Sequence, residues 1–460
     1  METTIPQQSL DERKVTDREF LADLDGETAI GTAIQKLFAA EQLGGARSEL
    51  VRHFRRRPRP RWFFDRRDGR PGPISHPWPG SVPSERNEVL EVADDICRNR
   101  FLVGHHTMLD FGHDLDWVRP DTTCSGVPGN AFRFARFFAV LAAAYALTRE
   151  AQYARKFAEI TRRWQEDWPL TVDGDVVSPD SSLFDRDHHY KTLPTGMRMM
   201  HWLTCLYSGI AFAPEVPVRV AFGLIKAIWF TARQYRRFAD ADYQPSNHHI
   251  MRCGTVPGVA GVMMPEFLSL RPLIPAARRT LLTHQRHSFL PDGGYRERSS
   301  SYSEVALNMI MIPLALGRLN GHRMPSLEEA APAQRGAECL ALTLMPDGRP
   351  PDVGDGFLTP ENTTRTLQTA GRVFESGTVQ TVAEKLGIEE AADQSRGGER
   401  EEIPRLTHLP ETGVLVARSE WSPDAHAFAL TCPGSGAPER PGHSHEDFLT
   451  LQIVAGGEEL

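Results

Sequence analysis

The chain has 460 residues, 40% of them hydrophobic and 24% charged, with a formal net charge of −8. That length exceeds one average domain, and the composition is that of an ordinary globular protein rather than a disordered or fibrous one. The acidic balance argues against general nucleic-acid binding, and no apolar run reaches the roughly 18 residues that a membrane span requires.

The opening stretch, METTIPQQSLDERKVTDREF, has no apolar core and carries acids early. It is no secretory signal, which makes the cytoplasm the default expectation. Next comes RHFRRRPRPRWFFDRRDGR, from Arg52 to Arg70, dense in arginine and interleaved with aromatics. It reads either as a cationic wall for a polyanion, since Arg forks match carboxylate and sulfate oxygens, or as a solvated basic loop.

From about residue 125 to 385 the pattern is helical. In YARKFAEITRRW, Tyr153, Phe157, Ile160 and Trp164 recur at helical spacing and should line one buried face. NAFRFARFFAVLAAAYAL is apolar nearly all round, so that helix should lie deep among its neighbours. EVPVRVAFGLIKAIWFTARQYRRF and SYSEVALNMIMIPLALGRLNG give further long helices. The second shows Ser301 and Glu304 in capping-box spacing and should stop near Gly321.

A polar, glycine-containing stretch, GIEEAADQSRGGEREE, looks like a linker. After it the period changes. TGVLVARSEW, AHAFALTC and DFLTLQIV are short and β-prone, with turn residues between them. Taken as one continuous strand, the closing run puts His443, His445, Asp447, Leu449, Leu451 and Ile453 on one face. Its polar end would look into a cleft and its apolar end into a core. The six cysteines, Cys97, Cys124, Cys205, Cys253, Cys339 and Cys432, are scattered with no CxxC pair. They read as structural thiols rather than a disulfide framework or a zinc finger.

Three constellations could carry chemistry. His443 and His445 form an HxH pair that offers two imidazoles to a metal or a substrate, or are two polar loop residues. Asn247, His248 and His249 form a dense polar cluster at the start of an apolar helix, where Asn247 could equally be an N-cap. DGGYRERSSSYSEV sets Glu297 between Tyr295 and Tyr302. Tyr302 begins a helix, whose positive end would favour a phenolate able to move a proton, although tyrosines at this spacing are often packing residues.

Together these residues resemble the heparinase II/III-like polysaccharide lyases, which include heparin, heparan sulfate and oligoalginate lyases. The resemblance rests on FGHDLDW (111–117), AAAYALTREAQYARKFAEITRRWQEDWP (142–169), LPTGMRMMHW (193–202), Asn247–His248, PDGGYRERSSSYSE (291–304), MPDGRPPDVGD (345–355) and GHSHEDFLTLQI. It implies a multidomain α and β protein, an incomplete N-terminal α/α toroid followed by the start of an antiparallel β-sandwich. The expected division is an N-terminal extension with the Arg-rich loop (1–100), a toroid lyase domain (100–388), a linker (389–404) and the beginning of a β-sandwich (405–460). The family's β region runs well past its HxH motif, so the chain is expected to be truncated at its C-terminus.

The activity implied is β-elimination at a uronic acid in an acidic polysaccharide, a glycosaminoglycan or an alginate-like polymer. By position, Asn247 would neutralise the uronate carboxylate, with His248 a second neutraliser or a base. Tyr302 would be the general acid, and in some members also the base. His443 would be the base or a charge partner for the carboxylate. His249, Glu297 and Arg198 would contact substrate. His445 matches a structural zinc ligand of some members, its partner ligands lying beyond this chain; the chemistry itself needs no cofactor. Two departures from the family pattern stand out: His249 makes the histidine assignment ambiguous, and the secretion signal common among periplasmic or secreted members is not visible. The alternatives are a glycoside hydrolase on an α/α toroid, with Asp352 and Asp355 as its carboxylates, and a non-catalytic glycan-binding relative.

Overall fold

The computed structural model describes residues 14–103, 107–113, 115, 134–167, 170, 192–238, 242–244, 246–356, 359–388, 402–432, 443, 445 and 449–459. The proposed linker falls almost wholly outside them, as do Asp447, Cys124 and, from the FGHDLDW stretch, Asp114, Asp116 and Trp117. The chain opens with helices α1 (Asp17–Ala22), α2 (Ala29–Ala39), α3 (Leu43–Arg56) and α4 (Arg86–Cys97). A hairpin follows, β1 (Arg100–Val103) and β2 (Thr107–Asp110), antiparallel in register Arg100↔Asp110, at the start of the stretch expected to form the toroid domain. Then come α5 (Phe137–Thr148), α6 (Ala151–Asp167), α7 (Thr192–Ser208) and α8 (Val218–Tyr235). Beyond them lie α9 (Asn247–His249), a π-helix (Ile250–Thr255), α10 (Val256–Met263), α11 (Leu273–Ser288), α12 (Ser300–Leu319), α13 (Ala331–Thr343), α14 (Pro360–Phe374) and α15 (Gly377–Lys385). The closing strands are β3 (Leu406–Leu409), β4 (Val414–Arg418), β5 (His426–Thr431), β6 (Thr450–Ala455) and β7 (Glu458–Glu459).

The chain divides into two units. The first comprises Met1–Pro77, Ser81–Ala239 and Val259–Ile274. Its core is built as the sequence predicts: every residue of α5 from Phe137 to Ala146 is buried, and α6 buries Tyr153, Phe157, Ile160 and Trp164. Phe20 stacks on Phe267 at 5.2 Å and meets Phe222 and Trp229. Inside this unit Arg57 donates to Glu266 at 2.6 Å and to the carbonyl of Met263 at 2.9 Å. Burial alone would raise the Glu266 carboxyl, yet the Arg57 guanidinium and His53 bring it down to about 2.

Arg57 belongs to the arginine-rich stretch, and it is not alone in turning inward. Arg67 donates to the carbonyl of Phe54, pairs with Asp65 and lies 4.4 Å above the ring of Tyr207. Arg66 donates to Pro73. Arg55, Arg56, Arg59 and Arg70 remain exposed. The stretch is therefore partly an internal tie that fixes its own loop, neither a bare cationic wall nor a merely solvated one.

The second unit comprises Trp78–Gly80, Asp240–Gly258 and Pro275–Leu460. Its longest helix, α12, is capped by Ser299, whose hydroxyl accepts from the N–H of Tyr302 at 3.1 Å. The expected Ser301–Glu304 capping box does not form. Glu304 points inward instead and accepts from Thr363 at 3.1 Å and Thr366 at 3.0 Å. Pro313, inside α12, removes the N–H that Met309 would otherwise accept from. The π-helix repairs this, because its wider turn brings the Thr255 hydroxyl within 2.7 Å of the Met309 carbonyl.

The five closing strands form one antiparallel sheet in the order β3-β4-β5-β6-β7. Its inner face joins Val414, Val416, Ala427, Ala429 and Val454 with Met345 in one cluster. The expected continuous strand from His443 to Ile453 is not present. Leu449 sits at φ 58°, a left-handed turn, and the strand starts only at Thr450. The register Phe428↔Ile453 and Leu430↔Leu451 points Leu451 and Ile453 away from the cluster, at 56% and 40% exposure. Their apolar side chains lie on the outer face, not in the core.

Among the described residues Cys97, Cys205, Cys253, Cys339 and Cys432 are free thiols, Cys205 and Cys253 buried. No helix there is long and apolar enough to cross a membrane.

Glu304 gives this unit a pH signature. Burial pushes its carboxyl up to about 7, against the hydrogen bonds of Thr366 and Thr363. A carboxyl raised in the folded state contributes stability that is full below its unfolded value of 4.5 and is lost as pH rises towards 7. The loss should be on the order of 3 kcal/mol. Urea denaturation of wild type and Glu304→Gln at pH 5 and pH 8 should show the variant gaining on the wild type at the higher pH. A gap that does not change with pH would show that Glu304 ionises as easily folded as unfolded.

Candidate functional site

The site is built on three short pieces of the second unit. The first is the turn around α9. Ser246, not Asn247, is its N-cap, and the Ser246 hydroxyl accepts from the N–H of His249 at 3.3 Å. Asn247 is thus released from capping. Its backbone N–H donates to Glu297 at 3.1 Å, while its side chain is only 1% exposed. Neither atom of its amide has a hydrogen-bond partner among the described residues. Leaving a buried amide unpaired costs about 1–3 kcal/mol, which is tolerated where a ligand will supply the missing bonds.

The second piece runs from Phe289 to Ser299. Phe289 bridges Tyr295 across a tight turn in which Gly293 has φ 93°, and Arg298 then reverses the chain at φ 55° into the Ser299 cap. This delivers Glu297 inward at 5% exposure, where it accepts from the Tyr295 hydroxyl at 2.9 Å. Burial raises the Glu297 carboxyl above its ordinary value, opposed by Tyr295, by the neighbouring His443 and by the Asn247 N–H. Burial, together with the Glu297 charge, pushes the Tyr295 phenol well up.

The third piece is the segment 351–355, laid against the first turn of α12. Ser300 takes the Val353 carbonyl on its N–H at 3.0 Å and the Pro351 carbonyl on its hydroxyl at 2.6 Å. The Ser299 hydroxyl donates to the Asp355 carbonyl at 2.6 Å, and the Asp355 N–H donates to the His443 carbonyl at 2.7 Å.

His443 completes the arrangement. Its ring lies parallel to that of Tyr302, with centroids 3.5 Å apart and planes 8° from each other. Its Nδ1 is 3.0 Å from Asp355, and its Nε2 is 3.5 Å from Glu297. His445 binds the other oxygen of Asp355 through Nε2. The hydrogen bond from His443, joined by His445, holds the Asp355 carboxyl below its usual range.

The structure thus joins Asn247, Glu297, Tyr302 and His443 by a chain of direct contacts. His248 follows Asn247 in the same turn and is half-buried. His249 is engaged elsewhere: its Nδ1 lies 2.7 Å from Nε2 of His284, beside the ring of Tyr243. Arg198 belongs to the first unit, where it is buried over the rings of Trp164 and Trp202 at 5.6 and 5.4 Å.

The Nε2 of His445 meets Asp355, and among the described residues no group of three histidine, cysteine, aspartate or glutamate side chains is placed to hold a metal ion. Asp355 is the site residue whose role the sequence did not disclose. The signal was nonetheless present in PPDVGD, where an aspartate follows a glycine in a turn.

The family described as Heparinase II/III N-terminus matches residues 21–379. The chain belongs to the heparinase II/III family. No curated protein matches it. Among solved structures it is similar to a heparan sulfate lyase HepC mutant from Pedobacter heparinus, at 18% identity and a TM-score of 0.65, covering 97% of this chain and 65% of that one. It is also similar to a heparinase III, at 15% identity and a TM-score of 0.69, covering 97% of this chain and 66% of the other. The chain therefore spans about two thirds of these proteins' length. The fold class is the expected one, an α/α toroid, incomplete, followed by antiparallel β structure.

Gly354 sits where the site can least accept a side chain. At φ 68°, an added Cβ would lie 2.4 Å from the His443 carbonyl oxygen and 2.5 Å from that of Arg298. Gly348→Ala is the matched control, since Gly348 has φ 80° but its nearest neighbour would be 3.4 Å away. Both variants carry the backbone strain of a positive φ, about 1–3 kcal/mol. Thermal denaturation should show Gly354→Ala to be clearly the less stable of the two. Equal melting temperatures would mean that the His443 segment moves aside freely.

Proposed function

We propose that the protein is a polysaccharide lyase that cleaves a uronic-acid-containing polymer by β-elimination, leaving a 4,5-unsaturated uronate end. One observation carries this reading: the buried, unpartnered amide of Asn247 stands in the same contact chain as the stacked Tyr302–His443 pair. An elimination needs those parts. The proton at C5 is acidic only if charge can flow onto the adjacent carboxylate, so hydrogen-bond donors must meet that carboxylate. The Asn247 amide is such a donor, without a competing partner among the described residues.

In the proposed step the C5–H bond breaks, and its proton passes to Nε2 of His443, or to the Tyr302 oxygen where that phenol starts ionised. The electron pair forms the C4=C5 double bond. The C4–O bond breaks, and the leaving oxygen takes a proton from the Tyr302 hydroxyl. Ring stacking holds the two proton-transfer groups together at one end of α12. His248, in the turn beside Asn247, would support the carboxylate. The names of the structural relatives, a heparan sulfate lyase and a heparinase, point towards a glycosaminoglycan as the first substrate to try.

The glycoside hydrolase reading is less well supported. It requires a carboxyl kept protonated at neutral pH as the acid. Asp355, held ionised between two imidazoles, does not fit that part.

The protein should be incubated with heparan sulfate, other glycosaminoglycans and alginate while the near-UV absorbance of an unsaturated uronate is followed. Tyr302→Phe keeps the ring and the stacking on His443, so it should bind substrate normally and lose about 10²–10⁴-fold in kcat. Tyr295→Phe is unsuited as a silent control, because its hydroxyl donates to Glu297. Elimination at near-wild-type rate by Tyr302→Phe would remove this tyrosine from the mechanism.

A further inference from the structure

Asp355 is tied on every side to groups that the elimination uses or rests on. Its Oδ2 is 3.0 Å from His443 Nδ1, and its Oδ1 is bonded to His445. Its N–H donates to the His443 carbonyl at 2.7 Å, and its carbonyl accepts from Ser299, the cap of the Tyr302 helix, at 2.6 Å. Gly354 brings it there by a backbone approach too close for any Cβ. So the backbone of Asp355 links the His443 segment to the first turn of α12, while its carboxylate addresses the imidazole from behind.

An ionised carboxylate can only accept a hydrogen bond. A neutral imidazole with that carboxylate 3.0 Å from Nδ1, and the buried Glu297 carboxyl farther off at 3.5 Å from Nε2, places its single proton on Nδ1 and leaves Nε2 bare. Nε2 is the nitrogen that points towards Glu297, the residue bonded to the Asn247 turn. A tautomer fixed in this way gives the ring one defined basic atom on the substrate side. The carboxylate also stabilises the imidazolium that forms once the proton has been taken, as in other imidazole–carboxylate pairs.

We propose that Asp355 is the positioning residue of the elimination, fixing His443 in the Nδ1–H tautomer so that Nε2 faces the uronate. The proposal rests on the lyase reading given above for its consequence in catalysis, but its structural content does not need substrate. Asp355 itself does not touch the reacting atoms.

The test is selective ¹⁵N-histidine labelling of the whole protein, with His443→Gln used to assign the His443 signals. The wild type should show a protonated Nδ1 and an unprotonated Nε2. In Asp355→Asn the amide can donate towards Nδ1, so the ring should turn to the Nε2–H tautomer. Asp355→Ala should give a mixture of the two. On whichever polymer the wild type cleaves, Asp355→Asn should lower kcat by about 100-fold or more with KM changed less than about threefold. That split separates positioning from loss of binding. A wild-type His443 protonated at Nε2, or a tautomer unmoved in Asp355→Asn, overturns the proposal whatever the activity. An unchanged kcat in an active enzyme overturns it equally. A wild type that cleaves no uronate polymer while the tautomer switches as expected overturns the lyase reading and upholds the positioning of His443 by Asp355.

Discussion

The hydrogen bonds between the segment 351–355 and the first turn of α12 are the constraint on which the site depends. A helix N-terminus leaves N–H groups without partners, and something must satisfy them. Here the Ser299 hydroxyl takes that of Tyr302, and the Val353 carbonyl takes that of Ser300. Because the capping is done partly by a passing chain segment, that segment is locked to the helix that carries Tyr302. Its next residues, Gly354 and Asp355, then fix His443 through backbone and side chain together. Gly356 continues the close approach, since a Cβ there would stand 2.2 Å from that of Ser301. The geometry of the Tyr302–His443 pair is thus set by ordinary capping of a helix end.

The helical part of the fold was legible because hydrophobic periodicity is a local property. The apolar faces of α5 and α6 need no knowledge of their neighbours to be read. Where reading failed, a tertiary contact overrode a local pattern. Ser301 and Glu304 have the spacing of a capping box, yet Glu304 is drawn inward by Thr363 and Thr366, some sixty residues away in sequence. The closing strand was read as continuous because its alternation continues on paper. A left-handed Leu449 breaks it, and bulky residues rarely adopt that conformation, so composition gives no warning. The arginine-rich stretch misleads in a different way. Composition counts charges, but it does not say that the Arg57 guanidinium is consumed by Glu266 or that Arg67 is held over Tyr207.

The site was legible in its members but not in their wiring. Asn247, Tyr302 and His443 can be singled out because each is a polar group at a place where the pattern calls for something apolar or nothing in particular. Two histidines in sequence at 248 and 249 could not be told apart, and only the packing of His249 on His284 assigns it elsewhere. Tyr295, seven residues before Tyr302, could be read as an ordinary packing tyrosine. The structure shows it as the donor that holds Glu297. Asp355 was visible as a carboxylate but was paired with Asp352 on chemical type alone. Its actual partners lie 88 and 90 residues further on, in a segment whose position no period predicts.

The two carboxyls that flank His443 have opposite environments, and this gives the ring its direction. Asp355 is half-exposed and held ionised by its hydrogen bonds to two imidazoles. Glu297 is buried, and burial favours its protonated form despite the donors around it. One face of the imidazole edge therefore meets a permanent anion and the other a group that holds its proton more readily. An imidazole so placed is polarised along the line from Nδ1 to Nε2, with its proton drawn to the Asp355 side. Environments that separate two carboxyls in this way are a general means of giving like groups unlike tasks. Here they leave Nε2, 3.5 Å from Glu297 on the side of Asn247, as the nitrogen that the proposed elimination would use as its base.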